Sequence, residues 1–334
     1  MTSSHIFTSI SRGALAVALT ALAPIGAAHA QTEAPAASGE GLGEIVVTAS
    51  RRAENAKDVP VAVTAIGGEK LDALNSSGLD VRFLAARTPS LQVESSFGRT
   101  FPRFYIRGLG NTDFDLAASQ PVSVIMDGVV MENVALKSFP LFDIQQVEVL
   151  RGPQGTLYGR NSTGGAIKLT TKDPFDGDRG AVELTAGNYG RAEGRAYASF
   201  QLSETLAASV AGAWINSDGY VTDPVTGKDY NGEDTRALRA KLAFRPSDAF
   251  NATLSLDYTR QDNALTLGQP TAPLTQTDFL LGTVVLRPYV PGEYNFETRT
   301  SFDPDQGQEL THAGVSLAMN WNLSDRFLFK SITA

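Results

Sequence analysis

The chain has 334 residues with a formal net charge of -8, 31 glycines and no cysteine. That length allows one large domain or two ordinary ones, and the missing cysteines exclude a disulfide framework, a thiolate metal site and a cysteine nucleophile. The acidic balance leaves no basic stripe to neutralise phosphates, which argues against a nucleic-acid partner.

At the amino terminus, the apolar run Gly13–Ala23 is preceded by Arg12 and followed by Ala28, His29 and Ala30. The run is too short to span a bilayer, and small residues at 28 and 30 suit a signal peptidase, so residues 1–30 read as a cleaved signal peptide. Its removal leaves His312 as the one histidine. Residues 31–43 are rich in Ala, Gly, Glu, Pro and Ser without periodicity, which makes a linker. Glu44, Ile45, Val46, Val47, Thr48 and Ala49 then form a short β-branched run, a strand candidate.

From Val59 to Pro174 the signals are mixed α and β. Ser77-Gly78-Leu79-Asp80 resembles a capping box, and Leu79, Phe83 and Ala86 give the short helix after it one apolar face. Thr88-Pro89 stops that helix. Strands are expected at Leu91–Glu94, Phe104–Arg107, Val122–Met126 and Val129–Met131, with Asp127-Gly128 as the hairpin turn between the last two. The stretch 147–174 then carries five glycines between two strand-like segments. It lacks the Gly-Lys-Ser/Thr ending of a phosphate loop, and Ser162 lacks the strand-turn-helix frame of a nucleophile elbow. No catalytic constellation emerges, and Asp303, Asp305 and Gly307 lack the remaining ligands of an EF-hand. No enzyme, cofactor or metal site is expected.

After Pro174 the pattern becomes period two. Val182, Leu184 and Ala186 oppose Glu183 and Thr185, and Leu238, Ala240, Leu242 and Phe244 oppose Arg239, Lys241 and Arg245. About seven such segments follow one another. Short turns at Ser203–Thr205, Pro246–Ala249 and Ser324-Asp325 alternate with progressively longer connections at 187–190, 217–234 and 261–310, the habit of outer-membrane barrels. Phe200, Phe244, Phe250, Trp321 and Phe327 gather at the short-turn ends, and Trp214 and Tyr258 at the others, as two interfacial belts require.

Val147-Glu148-Val149-Leu150-Arg151-Gly152-Pro153, Leu157-Tyr158-Gly159, Gly164-Gly165-Ala166-Ile167 and Thr171–Pro174 resemble the closing signature of the plug domain in TonB-dependent outer-membrane receptors. Phe104–Gly108, with Arg107-Gly108, resembles that family's central Ile-Arg-Gly strand, and Val124–Val129, with Asp127-Gly128, its following hairpin. Lys168-Leu169 departs from the family's common Asn-Ile. Glu44 to Ala49 is similar to the TonB box.

The resemblance implies a signal peptide (1–30), a periplasmic linker with the box at 44–49 (31–52), a mixed α+β plug domain (53–176) and the first part of an antiparallel transmembrane β-barrel (177–334). It also implies that Arg107 and Arg151 pair with barrel carboxylates, and that the five glycines at 152, 155, 159, 164 and 165 serve sharp turns and close backbone approach inside a lumen. The implied partners are TonB, by strand addition at the box, outer-membrane lipid, and a scarce nutrient such as a ferric siderophore complex. The location would be the outer membrane of a Gram-negative bacterium. Plugged transporters use about 22 strands, so the chain is expected to be the amino-terminal part of a longer receptor or a truncated product, inactive alone. Two alternatives stay open. A signal-transducing receptor needs a further domain before the box, for which residues 31–43 are short. A secreted soluble β-rich protein would pack the apolar faces against one another.

Overall fold

A computed structural model describes residues 45–67, 71, 81–95, 100–113, 115, 118–177, 179–269, 274–278, 280, 282–287, 295–303 and 306–334. The signal peptide, the linker, Glu44, the expected capping box at 77–80 and Asp305 lie outside these residues.

Short apolar runs between glycine, proline and aspartate build the amino-terminal module. Its strands are β1 (Val46–Val47), β2 (Glu54–Asn55), β3 (Ala62–Gly67), β4 (Leu91–Glu94), β5 (Arg103–Ile106), β6 (Val122–Met126), β7 (Val129–Val130), β8 (Ile144–Arg151) and β9 (Gly165–Thr171). Five of them form one sheet in the order β3-β8-β9-β6-β7, parallel between β6 and β9 and antiparallel elsewhere. Period-two alternation gives this sheet two buried faces. Val124, Val147, Val149, Ile167 and Leu169 enter the larger core with Phe83, Phe104 and Ile106. Ile125, Leu150 and Ala166 face the other way, into a smaller core with Val47, Ala49, Val59 and Tyr158. Glu148 and Lys168, directly opposite each other in the β8–β9 register, share that second face.

Several local expectations shift. The helix is a 3-10 helix at Val81–Ala86 that buries Val81, Phe83 and Leu84, while Ala86 is exposed, because a three-residue turn rotates the buried face. The central strand ends at Ile106, since Arg107 takes φ 53° and begins a turn. A one-turn helix, α1 (Gly155–Tyr158), sits inside the glycine-rich stretch and turns Tyr158 into the smaller core.

Beyond Pro174 the alternating segments form one sheet, β10 (Arg179–Ala186), β11 (Ala192–Gln201), β12 (Leu206–Ser217), β15 (Glu233–Ser247), β16 (Phe250–Ala264), β19 (Gly307–Ser324) and β20 (Phe327–Thr333), paired antiparallel in chain order. The short hairpins β13 (Val221–Thr222) with β14 (Asp229–Tyr230), and β17 (Leu274–Asp278) with β18 (Gly282–Arg287), occupy the two longest connections. One face of this wall is apolar and uncovered: Leu184 is 82% exposed, and Val210, Trp214, Leu238, Leu242, Leu256 and Val315 stand out beside it. The other face buries Glu193, Ser209, Thr235, Arg239, Lys241, Ser255 and Thr259, and from it Arg239, Lys241 and Gln261 bond the amino-terminal module. The apolar faces do not pack on one another, as a two-layer soluble sandwich would demand. Phe250 and Trp321 meet edge to face at 6.1 Å by the short-turn end.

Candidate functional site

The segment 45–49 does not hang free. Ile45 O accepts a bond from Ala56 N at 2.8 Å, and β1 pairs with β2 through Val46–Asn55 and Val47–Glu54. In a strand, residues two apart present their backbone groups to the same edge. Val46 O and Thr48 N therefore belong to the edge away from β2, and side chains of β8 fill it. Gln146 Nε2 donates to Val46 O at 3.0 Å, and Thr48 N donates to the two Glu148 carboxylate oxygens at 3.0 and 3.1 Å. Gln146 and Glu148, themselves two apart on β8, substitute for a partner strand.

Thr48 is gripped further. Its hydroxyl donates to Glu148 Oε1 at 2.8 Å, and Lys168 Nζ donates to Thr48 O at 2.7 Å as well as to the hydroxyl. Lys168 and Glu148 form an ion pair at 3.5 Å, with the Glu148 side chain 1% exposed. Tyr158 OH donates to Ala49 O at 2.9 Å, and Arg51 stacks on the Tyr158 ring, 5.2 Å from its centroid, while bonding Leu157 O. Burial, reinforced by the Glu148 charge and opposed by Arg51, pushes the Tyr158 hydroxyl up to about 12, so it stays protonated and keeps its donor. Burial lowers the Lys168 ammonium, with Glu148 opposing. Val47 and Ala49 are fully buried beneath this cluster, whereas Ile45 and Val46 are half-exposed. Burying Val47 alone is worth about 1.5–3 kcal/mol.

A second set of contacts ties the module to the wall. Alternate residues of β15 reach inward: Arg239 pairs with Asp143 at 2.5 Å, Lys241 with Asp127 at 3.1 Å, and Arg245 with Asp173. Arg239 also bonds Asp257 of β16 and lies 4.9 Å from the Phe142 ring centroid. Burial would raise the Asp127 carboxyl, but Lys241, two bonds from Thr171 and Arg239 together hold it below the usual range. At Asp143 burial wins over Arg239 and Lys241, and the carboxyl rises to about 6. Between module and wall lies a cavity of about 310 Å³ whose lining includes Lys168, Lys241, Lys330, Asp127, Ser255 and Asn320.

The remaining sequence-predicted residues serve the module's own architecture. Asp127 and Gly128 form the β6–β7 turn, with φ 47° and 89°. Gly152 N donates to Gly164 O, and Gly165 lies where a Cβ would overlap Leu150 O. Glu148 and Tyr158 enter the cluster around Thr48, whereas Gly108, Pro153 and Gly159 do not. Arg151 Nε reaches Ala62 O at 3.5 Å, and Arg107 lies near Gly152. Among the described residues neither arginine forms an ion pair with a wall carboxylate. The pairs that do form have the opposite polarity, wall cations to module carboxylates, because the inward register of β15 carries Arg239 and Lys241. Sequence reasoning missed Gln146, Lys168, Asp143 and Arg239. Two of these carried a signal, Lys168 as the residue that breaks the family pattern and Arg239 as a charge opposite the apolar face of its strand.

Residues 55–166 match the family of TonB-dependent receptor plug domains. The vitamin B12 transporter of Vibrio vulnificus is 27% identical over 252 residues, 73% of this chain and 39% of that protein. The pesticin receptor of Yersinia pestis is 30% identical over 208 residues, 61% of this chain and 30% of that one. This chain thus spans about a third of the length of these relatives. Among solved structures, the ferric yersiniabactin uptake receptor of Yersinia pestis superposes with TM-score 0.64 at 22% identity, over 81% of this chain and 40% of that one. The ferripyoverdine receptor of the Pseudomonas aeruginosa outer membrane gives 0.66 at 18%, over 86% and 35%. Residues 55–166 thus carry a plug domain, seated on the polar face of a β-wall whose other face is apolar, and over both parts the chain is similar to TonB-dependent outer-membrane receptors.

Proposed function

We propose that this chain serves TonB-dependent uptake of a scarce nutrient across the outer membrane of a Gram-negative bacterium, with a ferric siderophore complex as the favoured cargo and no covalent chemistry of its own. The division follows the residues: a plug over 53–176, a barrel wall over 177–334 with lipid on its apolar face, and residues 44–49 as the segment offered to TonB. The observation that carries this reading is the position of residues 45–49, an extended backbone docked by side chains on the plug rather than woven into its main sheet. Such a segment can leave without breaking the sheet and add as a strand to an exposed edge of TonB, where backbone hydrogen bonds supply affinity. The cargo assignment draws on relatives named for ferric yersiniabactin and ferripyoverdine. Arg151 and the glycines around it hold the plug's shape. The test is Ile45→Pro, which removes a backbone donor and fixes φ at a half-exposed position. Energised uptake of the radiolabelled chelate is expected to vanish while binding to cells persists. Uptake that survives overturns the assignment.

A further inference from the structure

We infer that Glu148 and Lys168 are a latch that competes with TonB for the same backbone groups of residues 46–48. This rests on reading residues 44–49 as the partner-binding segment. An incoming strand needs a run of unoccupied N–H and C=O groups along one edge. The edge facing β2 is already paired. The opposite edge presents Val46 O and Thr48 N, and these are the groups that Gln146 and Glu148 occupy. Lys168 closes the arrangement from β9 by bonding Thr48 O and neutralising Glu148 at 3.5 Å.

Docked and partner-bound states are therefore mutually exclusive, and the latch sets how often the segment is available. Glu148 and Lys168 sit opposite one another on neighbouring strands of the sheet. Any shift of β8 against β9 separates the carboxylate from the ammonium and loosens both grips on Thr48 together. That gives a route by which a rearrangement in the plug exposes the segment without unfolding the sheet.

The chain has no cysteine, so Val47→Cys places one thiol at a fully buried point of the segment. Its maleimide labelling rate, measured on the full chain in outer-membrane vesicles without TonB or cargo, reads the undocked population. Lys168→Met and Glu148→Gln, each combined with Val47→Cys, are expected to raise that rate about tenfold or more. The double change Lys168→Met/Glu148→Gln, which leaves no unpaired charge, is expected to do the same. Hydrogen exchange at amides 165–171 is read in parallel and is expected to stay unchanged. Labelling that is unaltered in all three, or that rises only in step with exchange in the β8–β9 ladder, overturns the latch. Because no partner is present, this outcome is independent of whether Ile45→Pro abolishes uptake.

Discussion

Gly165 begins β9, opposite Arg151 of β8 and beside Val122 of β6, with φ 152°. A Cβ there would overlap Leu150 O and stand 2.7 Å from Ile106 Cδ1. Neither neighbour is free to retreat: Leu150 belongs to the β8–β9 ladder and Ile106 is fully buried in the main core. Overpacking by one methyl costs about 1–3 kcal/mol, and a side chain at such a φ costs of order 1–3 kcal/mol more. Gly165→Ala should therefore weaken the β8–β9 pair by about 2–6 kcal/mol, a large share of the roughly 5–15 kcal/mol that holds a domain together. Gly155→Ala supplies the contrast from the same stretch. Its Cβ would meet nothing within 4 Å, and it lies in α1 at an ordinary φ. That change should be neutral or stabilise by about 0.4–1 kcal/mol. Hydrogen exchange at the amides joining Ile144–Arg151 to Gly165–Thr171 measures both. Gly165→Ala should exchange at least about 30-fold faster than wild type, since 1.4 kcal/mol is tenfold. If the two variants exchange within about threefold of each other, the close approach at Gly165 does not bear on stability and the steric reasoning is wrong.

The plug–wall contacts carry a pH signature. Asp143 is raised from 3.8 to about 6, so the stability it contributes is present below about 4 and lost as pH rises through about 6. Arg239→Met removes the cation that moderates this loss. Its thermal midpoint in detergent should fall further below wild type at pH 8 than at pH 5, where Asp143 is protonated in both, and an equal deficit at the two values would contradict the pairing. On the wall, Leu184→Arg places a charge on the apolar face, which near the bilayer midplane costs about 2–4 kcal/mol. Thr185→Arg, on the plug-facing side of the same strand, should cost much less. Equal yields of heat-modifiable, membrane-inserted protein from the two would speak against lipid on the Leu184 face.

The wall was legible because period-two alternation needs only nearest neighbours: Leu238 to Arg245 assigns each side chain to a face without knowledge of the partner strand. The plug was legible through its long ordered glycine signature, although the turn at Arg107 and the 3-10 geometry at 81–86 escaped pattern reading. Contacts between residues distant in sequence were not legible. Nothing near Asp143 points to Arg239, 96 residues on, because the pairing depends on how β15 is registered against the plug. The arginines with a family role implied by resemblance, Arg107 and Arg151, make no ion pair with a wall carboxylate among the described residues. Lys168 could be noticed as a departure, but its meaning required knowing that Thr48 lies across from it.

The order of attachments along the amino-terminal segment also sets how the molecule yields to traction. A pull applied at residue 45 meets the bonds at 46, 48 and 49 in succession, so they peel singly and at low load instead of resisting as a group. Once β2, which pairs with β1, has come away, the next element in line is β3, which lies at the margin of the five-stranded sheet and among the described residues is paired on one side only, with Ala62 against Arg151 at the leading end. Tension therefore strips a border strand residue by residue while β8, β9 and β6 remain woven, and the plug is built to give way mechanically from one rim inward.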